Sequence, residues 1–243
     1  MFTRSARYYD AIYAAAGKDY QAEVALLQRL LDLHGRTDGN ALLDVACGTG
    51  GHLAFLRDTY EVEGLDIDRA MLEIAQDKLP DIPLHQGDMV DFNLHRRFDF
   101  VINLFSSIGY VRTQDHLEKA IISMANHTHP GGLVIVEPWI YPEDFKLGKA
   151  HAVFVDQEDM KIARMDVSRV QGRLSILNFH YLVAGDGEVS HFEEAHEITL
   201  FTHDEYISAI KAASLAVVHD AEGVDGRGLY IGIKPLEGAD KAI

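Results

Sequence analysis

A glycine-rich segment near the start of the chain carries residue types that suit a nucleotide-like ligand. An apolar run over residues 41–46 is typical of a buried parallel strand and leads into Cys-Gly-Thr-Gly at 47–50. Glycines there let the backbone approach a ligand, and the next helix N-terminus offers free N–H groups. Leu53 stands where a dinucleotide-binding loop has its third glycine. The carboxylate of Asp44, just before the loop, suits a cation such as the ammonium of a methionyl group.

Two further carboxylates follow the next apolar runs. Asp66 lies roughly 20 residues past the loop, where an acidic side chain accepts hydrogen bonds from ribose hydroxyls in this kind of architecture. Asp88 can accept a hydrogen bond from an adenine amino group, and Met89 can cover the ring. An Asp-based turn is the alternative interpretation of Asp88. The spacing predicts a nucleoside site built from three strand ends.

Alternating strands and helices over residues 1–142 are expected to hold these side chains at one edge of a sheet. The apolar patterns predict helices and strands in the following order: helix 20–34, strand 41–46, helix 51–58, strand 61–65, helix 68–78, strands 83–86 and 98–104, helix 116–125, and strand 133–137 after a Pro-Gly-Gly turn at 130–132. This alternation is typical of a parallel sheet with both faces covered.

A change of pattern after residue 142 predicts a second sheet, which is antiparallel. Residues 151–200 alternate in polarity, with turns at 157–159, 171–172 and 185–187. Thr202 then begins a helix to Ala213, with Glu205 placed for a capping box, and closing strands follow at 216–219 and 229–234. We predict an α/β fold with a Rossmann-like, mostly parallel seven-stranded sheet and helices on both faces. Residues 1–142 and 202–243 form this core, and residues 143–201 form an inserted antiparallel β-sheet that covers the substrate.

Composition excludes several classes of function. The chain has 38 acidic and 22 basic residues and a formal net charge of −16, which disfavours nucleic-acid binding. Its single cysteine, Cys47, fits a reducing, cytoplasmic setting, and no apolar stretch approaches the length of a membrane span. His180, His191 and His196 lack zinc-ligand spacing, so we expect no metal site. Ser106 lacks the flanking glycines of a hydrolase nucleophile.

Several longer phrases of the sequence make the interpretation more specific. They are Gly-Lys-Asp-Tyr at 17–20, Leu-Asp-Val-Ala-Cys-Gly-Thr-Gly at 43–50, Phe-Ser-Ser-Ile-Gly at 105–109, Val-Glu-Pro-Trp at 136–139, His-Tyr-Leu-Val-Ala at 180–184, Ile-Thr-Leu-Phe-Thr at 198–202 and Gly-Arg-Gly-Leu at 226–229. With Asp66 and Asp88, the chain resembles class I S-adenosylmethionine-dependent methyltransferases. The phrases resemble in particular the dTDP-3-amino-sugar N,N-dimethyltransferases of the desosamine and mycaminose type, in order along nearly the whole chain.

The resemblance implies S-adenosylmethionine as cofactor and an acceptor site beneath the inserted sheet. With the carboxylates above, the implied cofactor-binding residues are Tyr20, Asp44, Ala46, Gly48, Gly50, Asp66, Met71, Asp88, Met89 and Phe105. The implied acceptor site consists of Ser106, Trp139, Tyr141 and Arg227, with Tyr110 as the candidate catalytic residue.

Each acceptor-site residue also has a structural alternative. Arg227 either pairs with a phosphate or a sugar hydroxyl, or is a solvated arginine in a turn. Trp139 and Tyr141 either stack on a nucleobase or pack, and Tyr110 either contacts the amine or a nearby hydroxyl, or is a partly buried aromatic.

The chain departs from the resembled family near the expected acceptor. Members of the family carry histidine where Tyr110 stands, and Trp-Trp-Phe-Pro where this chain has Trp-Ile-Tyr-Pro at 139–142. They also begin with a longer N-terminal arm that supplies a tyrosine near the sugar. We therefore expect that tyrosine's place to be unfilled here.

The leading functional hypothesis is N-methylation of a dTDP-linked amino sugar. Methyl transfer is an in-line displacement on a sulfonium carbon, so the protein must chiefly hold a neutral nucleophile about 3 Å from the methyl group. The alternatives are N- or O-methylation of another small molecule, and a cofactor-binding module without catalysis. An exposed face or edge of the inserted sheet further predicts a homodimer.

Overall fold

Seven strands form the central sheet of the computed structural model, which describes residue 2 and residues 4–224 and 226–236. They are β1 (Ala41–Val45), β2 (Glu61–Asp66), β3 (Leu84–Gln86), β4 (Phe98–Asn103), β5 (Thr128–Val136), β11 (Ala216–Asp220) and β12 (Leu229–Ile233). Their order is β11-β12-β5-β4-β1-β2-β3. β1 to β5 pair in parallel, and β12 runs antiparallel to both of its neighbours. The predicted fold class is confirmed.

In the described part of the chain, six α-helices accompany the strands: α1 (Tyr9–Ala15), α2 (Tyr20–His34), α3 (Leu53–Leu56), α4 (Arg69–Lys78), α5 (Gln114–Asn126) and α6 (His203–Ala212). The predicted capping box is present, because Thr202 and Glu205 satisfy each other's backbone N–H groups. α3 is shorter than the predicted helix at 51–58, and α1 was not predicted. None of the helices that the structure describes is long and apolar enough to cross a membrane.

Helices cover the central sheet on both faces. The neighbouring residues Leu42 and Leu43 are fully buried in different clusters because consecutive strand side chains point to opposite faces. Leu42 packs in the cluster that includes α2 and α3, and Leu43 packs in the cluster that includes α5 and α6. Burial on both sides explains why β1 appears in the sequence as a continuous apolar run.

The Pro-Gly-Gly segment at 130–132 differs from its prediction as a turn ahead of a strand. β5 already begins at Thr128, and its register against β4 shifts between Phe98 and Phe100. Gly131 has a φ of +81°, which favours glycine. A Cβ on Gly132 would meet the carbonyl oxygen of Asp99. The segment is therefore an irregularity within the strand, not a turn before it.

Five antiparallel strands form the second sheet: β6 (Ala150–Asp156), β7 (Lys161–Val167), β8 (Arg169–Gln171), β9 (Leu174–Gly185) and β10 (Glu188–Thr199). Their order is β10-β9-β7-β6, and β8 pairs with β9. All five strands lie inside the predicted 143–201 insertion, and the three predicted turns connect them. On its inner face, Tyr181 and Phe179 pack against Tyr8 and Ile12 from the N-terminal segment. The insertion is thereby attached to the start of the chain.

Candidate active site

The carboxyl ends of β1 and β4 lie side by side where the strand order reverses, the position at which open α/β sheets bind ligands. Asp44 on β1 is buried, and its Oδ2 atom has no hydrogen-bond partner. Asn103 ends β4 and is also buried. Its amide donates to the Val45 carbonyl over 2.8 Å, but its Oδ1 is unpaired. Two buried acceptors without donors indicate a ligand that brings donors. Asn103 was not identified from the sequence.

Asp66 ends β2 and organises the glycine loop. Its carboxylate accepts the N–H of Gly48 over 2.7 Å and the N–H of Asp68 over 2.8 Å. Burial raises the pKa of Asp66, although these N–H groups oppose the rise. Burial also raises the pKa of Asp44, and the Asp66 carboxylate adds to that rise. A positively charged ligand at this point would stabilise both carboxylates.

A cavity of about 400 Å³ lies beside these strand ends. Its walls include Ala46, Asp88 and Met89, three of the residues predicted to bind the cofactor, together with Leu65 and Ile67. Asp88 also accepts the N–H of Val90 over 2.9 Å, so the turn proposed as its alternative role is present. Because only the Oδ1 atom of Asp88 accepts in this turn, its Oδ2 atom is available to a ligand.

A second cavity, of about 640 Å³, lies between the central sheet and the inserted sheet. The predicted residues Phe105, Ser106, Trp139 and Arg227 line it. Tyr110 lines both this cavity and the smaller one, and no other described residue lines both. The cavity has the size of a small-molecule site. Tyr110 therefore stands where a cofactor and an acceptor would meet.

Phe105 and Ser106 form a strained loop after β4. Their φ angles are +54° and +60°, which non-glycine residues rarely adopt. Residues with such strained backbone angles are enriched at functional sites. The buried carboxylate of Glu137 holds the loop by accepting the Phe105 N–H over 2.6 Å. It also pairs with the Arg227 guanidinium over 2.8 Å. Ser106 donates its hydroxyl to the Pro138 carbonyl over 2.7 Å.

Tyr110 has a buried partner, His196 on β10. The Tyr110 hydroxyl lies 2.8 Å from His196 Nδ1, and His196 Nε2 is buried without a partner. Burial lowers the pKa of His196 to about 3, so its ring is neutral near pH 7. Burial also raises the pKa of Tyr110 well above its ordinary value. Sequence reasoning considered His196 only as a metal ligand and missed this contact.

The N-terminal segment contributes to the wall of the larger cavity. Tyr9 and Tyr13, both on α1, line the larger cavity. Asp10 attaches α1 to the glycine loop, because its carboxylate accepts the Thr49 hydroxyl over 2.6 Å. It also pairs with Lys78 at the end of α4 over 2.6 Å. Two tyrosines of the N-terminal segment therefore line this cavity, which the sequence analysis did not identify. A helix of two turns is too short for its periodicity to be recognised in the sequence.

Seven predicted site residues do not line either cavity: Tyr20, Asp44, Gly48, Gly50, Asp66, Met71 and Tyr141. The hydroxyl of Tyr141 lies 2.8 Å from that of Tyr230, and its ring packs against the α5–α6 cluster, so its alternative role in packing fits its contacts. Met71 is buried on α4. The Tyr20 ring fills the space where a residue larger than Gly51 would place its Cβ.

A group of possible metal ligands lies apart from the cavities. The ligand atoms of the exposed His180, His191 and Glu193 lie within 4.8 Å of one another. Exposed groups of this kind are common without a bound ion. The expectation of no metal site stays a prediction.

Comparison with known proteins agrees with this geometry. A family model described as a methyltransferase domain matches residues 42–132. The dTDP-3-amino-3,4,6-trideoxy-alpha-D-glucopyranose N,N-dimethyltransferase of Streptomyces venezuelae is 43% identical over 93% of this chain and 95% of its own. The dTDP-3-amino-3,6-dideoxy-alpha-D-glucopyranose N,N-dimethyltransferase of Streptomyces fradiae is 43% identical over 96% and 92%. The chain belongs to the dTDP-amino-sugar N,N-dimethyltransferase family. The predicted family and enzyme class are confirmed.

A solved relative extends the agreement to three dimensions. The SAM-bound amino pentose methyltransferase CalS10 of Micromonospora echinaspora is 34% identical, with a TM-score of 0.85 over 93% of this dimethyltransferase and 96% of CalS10. The strand ends described above fit the same cofactor. Asp44 and Asn103 supply unpaired acceptors for an ammonium group, and Asp66 has lone pairs left for ribose hydroxyls. This dimethyltransferase is dependent on S-adenosylmethionine.

Proposed function

We propose that this dimethyltransferase methylates the amine of a dTDP-linked 3-amino sugar twice, to the dimethylamino form. The observation that carries the proposal is the position of Tyr110, which lines both the cavity beside the glycine loop and the cavity beneath the inserted sheet. An amine bound in the larger cavity near Tyr110 can reach a cofactor bound in the smaller cavity. The two 43% identical relatives both act on 3-amino sugars by name, which supports the position of the amine.

The cofactor supplies a methyl group on a positively charged sulfur, and the protein's part is to bind and orient it. Asp44, Asn103 and Asp66 hold the methionyl and ribose ends, and Ala46, Asp88 and Met89 enclose the adenine. The carboxylates of Asp44 and Asp66 also favour the cationic cofactor over its neutral product.

Tyr110 orients the acceptor amine in this proposal. When Tyr110 donates its hydroxyl proton to the neutral ring of His196, its oxygen lone pairs remain free to accept an amine N–H. The nitrogen lone pair can then point at the methyl carbon. The raised pKa of Tyr110 keeps its hydroxyl protonated near neutral pH, so the phenolate is not available as a base and the amine loses its proton to solvent before the transfer. Proximity and orientation supply most of the rate.

The proposal is tested by incubating the protein with S-adenosylmethionine and a dTDP-3-amino-3,6-dideoxy sugar, and by counting the added methyl groups by mass spectrometry. A dTDP-4-amino sugar and a dTDP-sugar with hydroxyl groups only are the controls. Two methyl groups on the 3-amino sugar alone support the proposal. Methylation of a hydroxyl control, or of none of the three, favours the alternative of another small acceptor.

We also propose a homodimer through the outer face of the inserted sheet. Phe154 and Leu182 are 64% and 50% exposed and lie in one row, each opposite Ala163 in the register. Met165 and Val189 on the same sheet are 48% and 65% exposed. An apolar row of this kind on a sheet is usually covered by another surface, and a second copy of the chain supplies a matching one.

A further inference from the structure

The short helix α1 contacts both halves of the active site. Asp10, in its first turn, hydrogen-bonds Thr49 of the glycine loop, on the side where the cofactor binds. Tyr9 and Tyr13 line the larger cavity, where the acceptor binds in the proposed function. One element of seven residues therefore joins the wall of the acceptor cavity to the glycine loop.

The attachment of Asp10 to the glycine loop has a buried part and an exposed part. Thr49 is 1% exposed and donates its hydroxyl to Asp10 Oδ1 over 2.6 Å. Asp10 Oδ2 pairs with Lys78 over 2.6 Å, and the side chains of that pair are 45% and 38% exposed. Exposed ion pairs contribute little to stability, whereas a buried hydroxyl without an acceptor is destabilising. We therefore expect Thr49 to fix the position of α1 more firmly than Lys78 does.

The two tyrosines of α1 form a continuous aromatic wall with the strained loop after β4. Tyr9 and Tyr13 are four residues apart and therefore neighbours on the helix surface, with ring centres 4.5 Å apart. The Tyr13 ring meets the Phe105 ring edge-on, with 4.9 Å between their centres. A shift of α1 would therefore move this wall of the larger cavity relative to the glycine loop.

Tertiary contacts must hold α1 in place, because an isolated helix of this length is not stable in water. Its N-cap residue, Tyr8, makes no side-chain capping hydrogen bond. Ile12 is 2% exposed and packs in the apolar cluster of the inserted sheet. Without the Asp10 carboxylate, α1 would keep this contact with the inserted sheet but lose its hydrogen bond to the glycine loop. The acceptor wall would then no longer be fixed relative to the cofactor.

We propose that Asp10 is a positioning residue that sets the distance between the acceptor amine and the methyl donor. This proposal rests on the proposed function. Asp10 lines neither cavity, so it acts through Thr49 on the cofactor side and through the two tyrosines of α1 on the acceptor side. In-line transfer needs close approach of the reacting atoms, and a displacement of about 1 Å caused by a distant change can cost about 100-fold in rate.

The test compares catalysis with cofactor binding in Asp10→Ala, since alanine favours the helix and removes both carboxylate oxygens. With a dTDP-3-amino-3,6-dideoxy sugar, kcat should fall by about 10- to 100-fold, while the Kd of S-adenosylhomocysteine stays within about threefold. Asp115→Ala is the matched control and should keep the wild-type kcat, because Asp115 also lies in the first turn of a helix and pairs with a lysine, Lys119, over 2.7 Å.

Two results with a folded Asp10→Ala protein would overturn the proposal. One is a wild-type kcat. The other is a loss of S-adenosylhomocysteine binding as large as the loss of kcat/KM, which would assign Asp10 to the cofactor loop alone.

Thr49→Val tests the hydrogen bond from the other side, and also serves if Asp10→Ala does not fold. Valine has nearly the shape of threonine but no hydroxyl, so Thr49→Val should lower kcat by more than Thr49→Ser, which keeps the hydroxyl. The double variant Asp10→Ala with Thr49→Val should cost little more than the larger single change. Additive losses would show that the two residues act independently, against the proposal.

Amide hydrogen exchange separates this proposal from the proposed function, because it needs no acceptor. With S-adenosylhomocysteine bound, residues 9–15 should exchange faster in Asp10→Ala than in the wild type, while residues 20–34 of α2 exchange at the same rate. Unchanged exchange in α1 rejects the positioning role. Faster exchange in α1, together with a wild type that methylates no dTDP-3-amino sugar, would show that the proposed function alone has failed. The comparison of kcat is then made with the acceptor that the wild type does methylate.

Discussion

The Tyr110 hydroxyl lies 2.8 Å from Nδ1 of His196, and burial keeps that ring neutral. A neutral imidazole can accept the hydroxyl proton of Tyr110, which leaves the tyrosine oxygen as an acceptor toward the cavity. His196 does not line either cavity, so its influence on the acceptor passes through Tyr110. The contact makes His196 a positioning residue for the proposed catalytic tyrosine.

Tyr110→Phe should lower kcat by about tenfold or less, because orientation of the amine is only partly lost and no proton transfer depends on the hydroxyl. Steady-state rates with the dTDP-amino sugar measure the effect, and affinity for S-adenosylhomocysteine should be unchanged. His196→Phe should resemble Tyr110→Phe, and the double variant should cost little more than either alone. A loss of about 10⁴-fold would instead mark Tyr110 as an essential proton acceptor.

Acid should destabilise the protein in part through His196. Its pKa is about 3 when folded and about 6.5 when unfolded, so the unfolded chain binds the extra proton between these values. The contribution of His196 is present above about pH 6.5 and is lost as the pH falls toward 3. Urea unfolding at pH 7 and pH 5 measures it, and His196→Gln should lose less stability over that interval than the wild type. Equal losses would show that His196 titrates normally.

Asp66→Ala should weaken cofactor binding by about 2–4 kcal/mol, since two charge-assisted hydrogen bonds to ribose are removed and their effects are not additive. The Gly48 N–H loses its acceptor as well, which loosens the glycine loop. Calorimetry with S-adenosylhomocysteine measures the change, and Asp58→Ala at an exposed position is the control. An unchanged dissociation constant in a folded Asp66→Ala protein would place Asp66 outside the site.

Arg227→Ala should destabilise the fold by about 3 kcal/mol, because the buried Glu137 carboxylate loses its cation. Denaturant unfolding measures the loss, and the double variant Arg227→Ala with Glu137→Gln should recover part of it. The acceptor KM should rise as the Phe105 loop shifts. Full stability of Arg227→Ala would show that the pair contributes nothing to folding.

Leu182→Glu should convert a homodimer into a monomer, because a carboxylate would then be buried at the apolar centre of the outer face. Sedimentation at micromolar concentration distinguishes the two states. The exposed Leu33 on α2 provides a control, since Leu33→Glu lies away from the inserted sheet and should leave the association unchanged. A wild-type monomer under these conditions would reject the dimer.

Local patterns determined much of this protein from the sequence alone. The bounds of α2 coincide with their prediction, because its buried leucines recur at helical spacing. The capping box at Thr202 depends on residues only three positions apart. The loop from Asp44 to Gly50 and the carboxylate of Asp66 are likewise set by short motifs at strand ends. Such features need only the chain's own periodicity and the geometry of one strand and one helix.

Tertiary structure alone decided which side chains meet. Tyr110 and His196 are 86 residues apart, and Arg227 and Glu137 are 90 apart, so no local pattern records either contact. Trp139 and Tyr141 are two residues apart and are equivalent in the sequence pattern, but of the two only Trp139 lines the larger cavity. The fold likewise leaves the Nη1 atom of Arg164 buried without a hydrogen-bond partner. Pairing of buried charges depends on distances across the whole fold, and a linear sequence does not contain those distances.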